Sequence, residues 1–184
     1  WKHRRFDGPF ADTTGTQWRL FPTQDPVQLS TGRVLVPVSM LPSATPSNRA
    51  TNSVLMTDDG GRTFKLSPGT STPSATASPT WEPVVWEDEA AETVHMVVRS
   101  TSYGDPSQTV LQHSVSHTAG STWSALATIP MDSVPNRPGL KHLGTARVIM
   151  MDSDWSTRSP LTASAESCRF NLAMFFGRPG DGAR

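Results

Sequence analysis

The chain is poor in the residues that most often announce a function. Among 184 residues it has one cysteine, Cys168, and one tyrosine, Tyr103. A lone cysteine excludes an intrachain disulfide and leaves the redox compartment open. No apolar run approaches the length of a membrane-spanning helix, the longest being Leu172 to Phe176. Net charge is also absent: 16 Lys and Arg balance 16 Asp and Glu. Nothing in that balance favours nucleic acid or an anionic membrane as a partner. The basic cluster Lys2-His3-Arg4-Arg5 reads as a solvated terminal face. Helical periodicity is missing throughout, and no metal or cofactor signature stands out. His113 and His117 lie four apart, roughly 13 Å along an extended strand, too far to share one metal. The opening at Trp1, without Met or signal peptide, reads as a piece cut from a longer chain.

What is present in quantity is turn chemistry. Sixteen prolines, 13 glycines and an apolar fraction of only 35% favour an all-β protein. The most informative stretch is Thr57-Asp58-Asp59-Gly60-Gly61-Arg62-Thr63-Phe64, because Ser116 to Trp123 is a worn second copy. In the first copy Asp59 is placed to accept hydrogen bonds from the N–H groups of a tight turn. Gly60 and Gly61 tolerate the positive φ that such a turn demands. Thr63 returns a hydroxyl to the turn, and Phe64 opens the next strand with a large ring expected to be buried. The second copy keeps the first hydroxyl, the Gly, the Thr and the aromatic, but has Thr118 where the carboxylate belongs. It is expected to turn the same way, less firmly.

Around these turns the chain reads as short strands. Asp12 to Gly15 is a turn and Gln17 to Phe21 an extended run. Val27 to Leu29 and Arg33 to Val38 form a hairpin about Gly32, in which Pro37 is expected at a sheet edge or a strand exit. Ser39 to Ala50 reads as a loop and Ser53 to Met56 as a strand. Lys65 to Thr80 reads as a mobile insertion of low complexity. A second hairpin joins Pro83–Trp86 to Thr93–Val98. Thr109 to Val115 leads into the second repeat, a hairpin follows about Gly144-Thr145, and Arg169 to Phe176 is the last strand. Hairpin, strand and repeat turn, then the same again, is how the four-stranded blades of a β-propeller read.

These residues carry a family resemblance. Thr57 to Phe64 resembles the Asp-box, or BNR repeat, of sialidases and their relatives. In that turn Thr57, Asp59, Gly61, Thr63 and Phe64 are the structural positions. Val27 to Val38 resembles the family's Gly-Arg, Val-Pro hairpin, and Trp81-Glu82-Pro83-Val84-Val85 its Glu-containing strand. Val97-Val98-Arg99 and Cys168-Arg169-Phe170-Asn171 are similar to two segments that carry active-site arginines. The resemblance implies about three blades of a six-bladed β-propeller, residues 1–184 forming part of one sialidase-like domain incomplete at both ends. The implied activity is removal of terminal sialic acids. Arg99 and Arg169 would clamp the sugar carboxylate through paired charge-assisted hydrogen bonds. Glu82 would serve as the base partner of a tyrosine nucleophile. The implied partner is a sialylated glycan or another carbohydrate.

Hairpin geometry supports one part of this independently. With the turn centred between Ala90 and Ala91, Glu82 and Arg99 fall directly opposite each other, with Cβ atoms roughly 5 Å apart. Other parts do not appear. The family's tyrosine would follow Arg169 by more residues than the chain has left, and its acid/base aspartate and first arginine would precede the opening hairpin. Tyr103, in a Tyr-Gly-Asp-Pro turn, reads as a loop residue. Asn136-Arg137-Pro138-Gly139 resembles a family loop near the substrate and equally fits an ordinary turn. The chain alone is therefore not expected to be a competent enzyme. Other readings stay open: a cross-strand ion pair with no catalytic part, a non-catalytic propeller that binds glycan or protein, or a glycosidase of the same fold acting on a different sugar.

Overall fold

The computed structural model describes residues 10–11, 17–42, 50–67, 79–89, 91–102, 105–129, 139–142, 148–153 and 172–177. Every regular element among them is a β-strand. Strands β1 (Phe10–Ala11), β2 (Gln17–Pro22), β3 (Val27–Gln28), β4 (Val34–Pro42), β5 (Thr51–Thr57) and β6 (Lys65–Leu66) make the first sheet. Its order is β1-β2-β4-β5-β6, and β3 also pairs with β4. Strands β7 (Thr80–Asp88), β8 (Thr93–Ser102), β9 (Asp105–Ser116) and β10 (Ala127–Thr128) make a second sheet in the order β10-β9-β8-β7. A third sheet, β11-β12-β13, joins Gly139–His142, Val148–Ser153 and Leu172–Gly177. Each sheet is antiparallel and runs in chain order, apart from the short β3, which shares the β4 edge with β2; this is the blade pattern of a partial β-propeller.

The first two blades meet through a shared apolar layer. Leu29, Leu35 and Val54 from the first pack against Val85, Val94, Met96 and Val98 from the second. The opposite face of each blade is apolar as well. Trp18, Val38 and Met40 line one, and Val84, Val97, Leu111 and Ile129 the other. Strands apolar on both faces belong to sheets covered on both sides.

Several boundaries differ from the sequence reading, each for a local reason. Pro37 lies inside β4, paired with Val54 of β5, and not at an edge. Its carbonyl accepts from the Thr23 N–H at 3.1 Å. The proline nitrogen therefore points to the same side, where β4 passes from its partner β3 to its partner β2. The missing N–H falls in a gap in the ladder, which is how a proline survives there. Ser39 to Pro42 continues β4 and does not begin a loop, since its pairing with Trp18 to Phe21 extends the ladder. Lys65 and Leu66 pair with Met56 and Leu55 as β6, and Ser67 is buried. The mobile insertion expected over Lys65 to Thr80 thus loses both its ends to strands, and residues 68–78 lie outside the described ones. So do Asp12 to Gly15, Tyr103, Asn136 to Pro138, Cys168 and Arg169.

The two repeat turns close as expected. In the first, Asp59 Oδ1 accepts from the N–H groups of Arg62 (2.8 Å) and Thr63 (2.9 Å), and Oδ2 accepts from the Thr63 hydroxyl (2.7 Å). Thr57 Oγ1 accepts from the Gly61 N–H at 2.9 Å. These bonds hold the Asp59 carboxyl well below its usual range. In the second, Ser116 Oγ accepts from the Gly120 N–H (2.8 Å) and Thr118 Oγ1 from the Thr122 N–H (2.8 Å). Thr118 thus replaces a carboxylate that collected two backbone donors with a hydroxyl that collects one. Ala119 takes φ +51° where the first copy has Gly60 at +71°. Phe64 is half-buried, short of the buried ring expected, and leans on Gly61.

The second turn also docks on the first blade. A Cβ on Gly120 would come within 3.1 Å of Leu35, so the glycine is needed for both its φ of +83° and this close approach. Ser67 donates to the Gly120 carbonyl at 2.7 Å, and the Trp123 indole N–H donates to Ser67 Oγ at 3.2 Å. Arg33 ties both turns together. Its Nε and Nη2 grip Asp58 at 2.6 and 3.0 Å, while Nη1 donates to the Ala119 carbonyl at 3.0 Å and to Ser121 Oγ at 2.8 Å. Replacing Arg33 by Met leaves the Ala119 carbonyl and Ser121 without this donor, and is expected to cost about 1–2 kcal/mol in urea unfolding. Arg33→Lys should recover only part of that loss because it lacks the planar fork. An unchanged unfolding midpoint in both variants would contradict the bridge.

Candidate functional site

The site is built on the inner strand of the second blade. β7 ends its sheet, with β8 on one side and, among the described residues, no strand paired on the other. Bare backbone groups along such an edge need partners, and side chains of the first blade supply them. Gln24 Oε1 accepts from the Val85 N–H at 2.8 Å and its Nε2 donates to the Val85 carbonyl at 3.3 Å. The Thr23 hydroxyl donates to the Pro83 carbonyl at 2.6 Å. Ser39, itself buried, accepts the Glu82 N–H at 2.9 Å. Lower on the strand, the Glu87 carboxylate accepts from the N–H and hydroxyl of Ser30 at 2.7 and 2.8 Å.

Glu82 sits at an interruption in the ladder. From Asp88 back to Val84 the pairing with β8 follows the predicted register, Asp88 opposite Thr93 and Val84 opposite Val97. It then slips, and Arg99 stands opposite Trp81. Glu82 and Pro83 together face Val98, which is a β-bulge. The expected direct opposition of Glu82 and Arg99 is therefore corrected by one residue. The physical cause is the backbone of Glu82, at φ +55° before a proline, a conformation that costs a non-glycine residue about 1–2 kcal/mol. The Ser39 bond to its N–H holds it there.

The bulge still brings the two charges together. Arg99 Nη2 lies 3.0 Å from Glu82 Oε2, with side chains 24% and 25% exposed. The contact is an ion pair outside good hydrogen-bond geometry, so Glu82 Oε2 and Arg99 Nε are buried without a hydrogen-bond partner among the described residues. A buried donor of this kind is costly unless something supplies an acceptor. Glu82 and Arg99 are thus brought to one place; Arg169 lies outside the described residues. Thr57, Asp59, Gly61, Thr63 and Phe64 belong to the opposite end of the blades. In the second blade Ser116 pairs with Val94 while Leu111 pairs with Arg99, a separation of roughly 17 Å along the strands.

Three aromatic rings on one face of the second blade were not picked out in the sequence. Trp86 stacks on His95 at 4.9 Å between centroids, and His95 on His113 at 5.1 Å. His95 Nδ1 and His113 Nε2 are 2.9 Å apart, and His95 Nε2 is 3.1 Å from the Thr93 hydroxyl. An N–H to N bond requires a neutral ring as acceptor. The signal lay in the β8–β9 register, which sets His113 diagonal to His95, whereas His117 lies past the end of β9, in the second repeat turn, and not in the extended strand expected. Among the described residues no group of three metal-ligating side chains converges.

An antiparallel meander of blades, with repeat turns at one end and a partly buried ion pair at the other, defines a repeat propeller. The chain belongs to the BNR repeat-like domain family, whose profile matches residues 4–171. Similar solved structures include a protein of unknown function from Dyadobacter fermentans, 20% identical with a TM-score of 0.63 over 83% of this chain and 40% of that one. The GH93 α-L-arabinofuranosidase of Fusarium graminearum, in complex with arabinobiose, is 18% identical with a TM-score of 0.58 over 93% and 49%. The NanB sialidase from Streptococcus pneumoniae is 20% identical with a TM-score of 0.52 over 80% and 21%. At these identities the likeness is one of fold, and the chain spans less than half the length of each. No curated protein matches it in sequence.

The histidine pair gives a pH test. Burial first, and His95 second, push His113 down from the ordinary 6.5 to about 4. Burial likewise lowers His95. The unfolded chain takes up the His113 proton first as pH falls, so stability is full above about 6.5 and declines toward about 4. Tm measured across that window should fall for the wild type and fall less for His113→Phe, which keeps the stack without the titrating group. Parallel Tm curves for the two proteins would contradict a buried neutral pair.

Proposed function

We propose that the chain is part of a glycoside hydrolase propeller of the exo-α-sialidase type, residues 1–184 being one portion of a single ring domain. The observation that carries this reading is the largely buried Arg99–Glu82 pair with an unused Arg99 Nε–H. Sialic acid bears a carboxylate on its anomeric carbon, and a guanidinium edge suits it through two parallel charge-assisted hydrogen bonds. Arg169 joins Arg99 in this clamp by its match to the family segment. Glu82 draws the proton from a phenol supplied by adjoining sequence, in keeping with the tyrosine nucleophile of sialidases. A neutral phenol meets an already anionic anomeric centre with less repulsion than a carboxylate would. The ligand in the Streptococcus pneumoniae sialidase structure is an ammonio-ethanesulfonate, a zwitterion whose sulfonate end is anionic. The family turns Thr57–Phe64 and Ser116–Trp123 are structural in this reading.

One observation favours a second reading. Glu82 already engages Nη2 of Arg99, which lowers the pull of the guanidinium on a further anion, and several fold relatives act on neutral arabinose-containing sugars. On this reading the pair orders the strand ends beside a neutral furanoside. The two readings separate in one experiment with the full-length protein that carries this chain, given a fluorogenic α-sialoside and a fluorogenic α-L-arabinofuranoside in turn. Release from the sialoside, with kcat/KM reduced about a hundredfold or more by Arg99→Ala, is the expected result. Release from the arabinofuranoside alone selects the second reading, and no release from either points to a non-catalytic binding propeller. Equal sialoside rates for wild type and Arg99→Ala would remove Arg99 from the mechanism.

A further inference from the structure

We infer that Phe21 is the aromatic wall of the site, stacking on one C–H face of the sugar that Arg99 and Glu82 engage; this rests on reading that pair as a carbohydrate site. Phe21 is the one exposed large hydrophobic side chain among the described residues, at 47%. Its position follows from two independent contacts. It pairs with Ser39 across the β2–β4 ladder, and paired residues of neighbouring strands point to the same face about 5 Å apart. Ser39 reaches the second blade on that face, since its Oγ accepts the Glu82 N–H at 2.9 Å.

The chain beyond Phe21 gives the same answer. Thr23 bonds the Pro83 carbonyl and Gln24 bonds Val85, so the continuation of β2 runs beside β7 in the same direction. Carried back, that alignment sets Phe21 abreast of Trp81 and Glu82. Among the described residues β1 pairs with β2 at Gln17 and Trp18 and does not reach Phe21, whose side chain stays exposed.

A half-exposed phenyl beside a partly buried ion pair is a wasteful arrangement for stability alone, because its apolar surface stays in water. It is the composition of a sugar subsite: one apolar face to meet ring C–H bonds and a few fixed polar groups to orient the hydroxyls and carboxylate. The test uses the full-length protein carrying this chain and saturation-transfer NMR with free N-acetylneuraminic acid and, separately, L-arabinose. Wild type is expected to transfer saturation to the ring C–H protons of one of them. Phe21→Ala should weaken that sugar's Kd about tenfold, and Phe21→Tyr should stay within about threefold. Because Phe21 is exposed, both variants should keep the wild-type Tm. Binding of a sugar that Phe21→Ala leaves unchanged overturns the aromatic wall while sparing the site. Failure of wild type to bind either sugar overturns both.

Discussion

The rest of the arrangement depends on how the inner edge of β7 is satisfied. An edge strand inside a propeller has no further strand to pair with, and its N–H and C=O groups cannot be left bare against a neighbouring blade. Thr23, Gln24 and Ser39 of the first blade meet them one by one. That seam does more than join two sheets. It holds Glu82 at φ +55°, and the resulting bulge delivers its carboxylate to Arg99, one residue out of step in the ladder. The bonds that seal the blades are therefore the bonds that assemble the ion pair.

The far end of the same blades is governed by different physics. There the repeat turns satisfy their own backbone through Thr57, Asp59, Ser116 and Thr118. Arg33 then fastens the two turns to each other. A rigid outer end leaves the inner end free to carry a strained residue and unpartnered polar atoms, and such strain persists only where surrounding structure over-determines it.

Much of this was legible in the sequence, and the limits are instructive. Period-two strands and Gly-rich turns announced the blades, and a worn second copy of the Thr57–Phe64 turn announced their repetition. The hairpin centre between Ala90 and Ala91 held from Asp88 to Val84. It failed at Glu82 because the bulge is imposed by Ser39, a residue forty-three positions away in the chain, and no local pattern encodes that contact. Pro37 misled for a related reason: a proline is excluded from a continuous ladder, and only the handover from β3 to β2 makes room for it. The stack of Trp86, His95 and His113 needed a register between separate strands, which sequence spacing along one strand does not supply. Phe21 was read as a strand residue, and its exposure became visible only once its neighbours were placed.

The central claim is that the bulged end of β7, with Glu82, Arg99 and the Phe21 ring beside them, is where a carbohydrate binds. A crystal structure of the full-length protein soaked with the free sugar that it binds in solution tests this most directly. The account predicts sugar density within hydrogen-bond reach of Arg99 Nε and Glu82, on the inner side of the first two blades. Density at the repeat-turn end, or on the outer surface with the Glu82–Arg99 pair untouched, would contradict it.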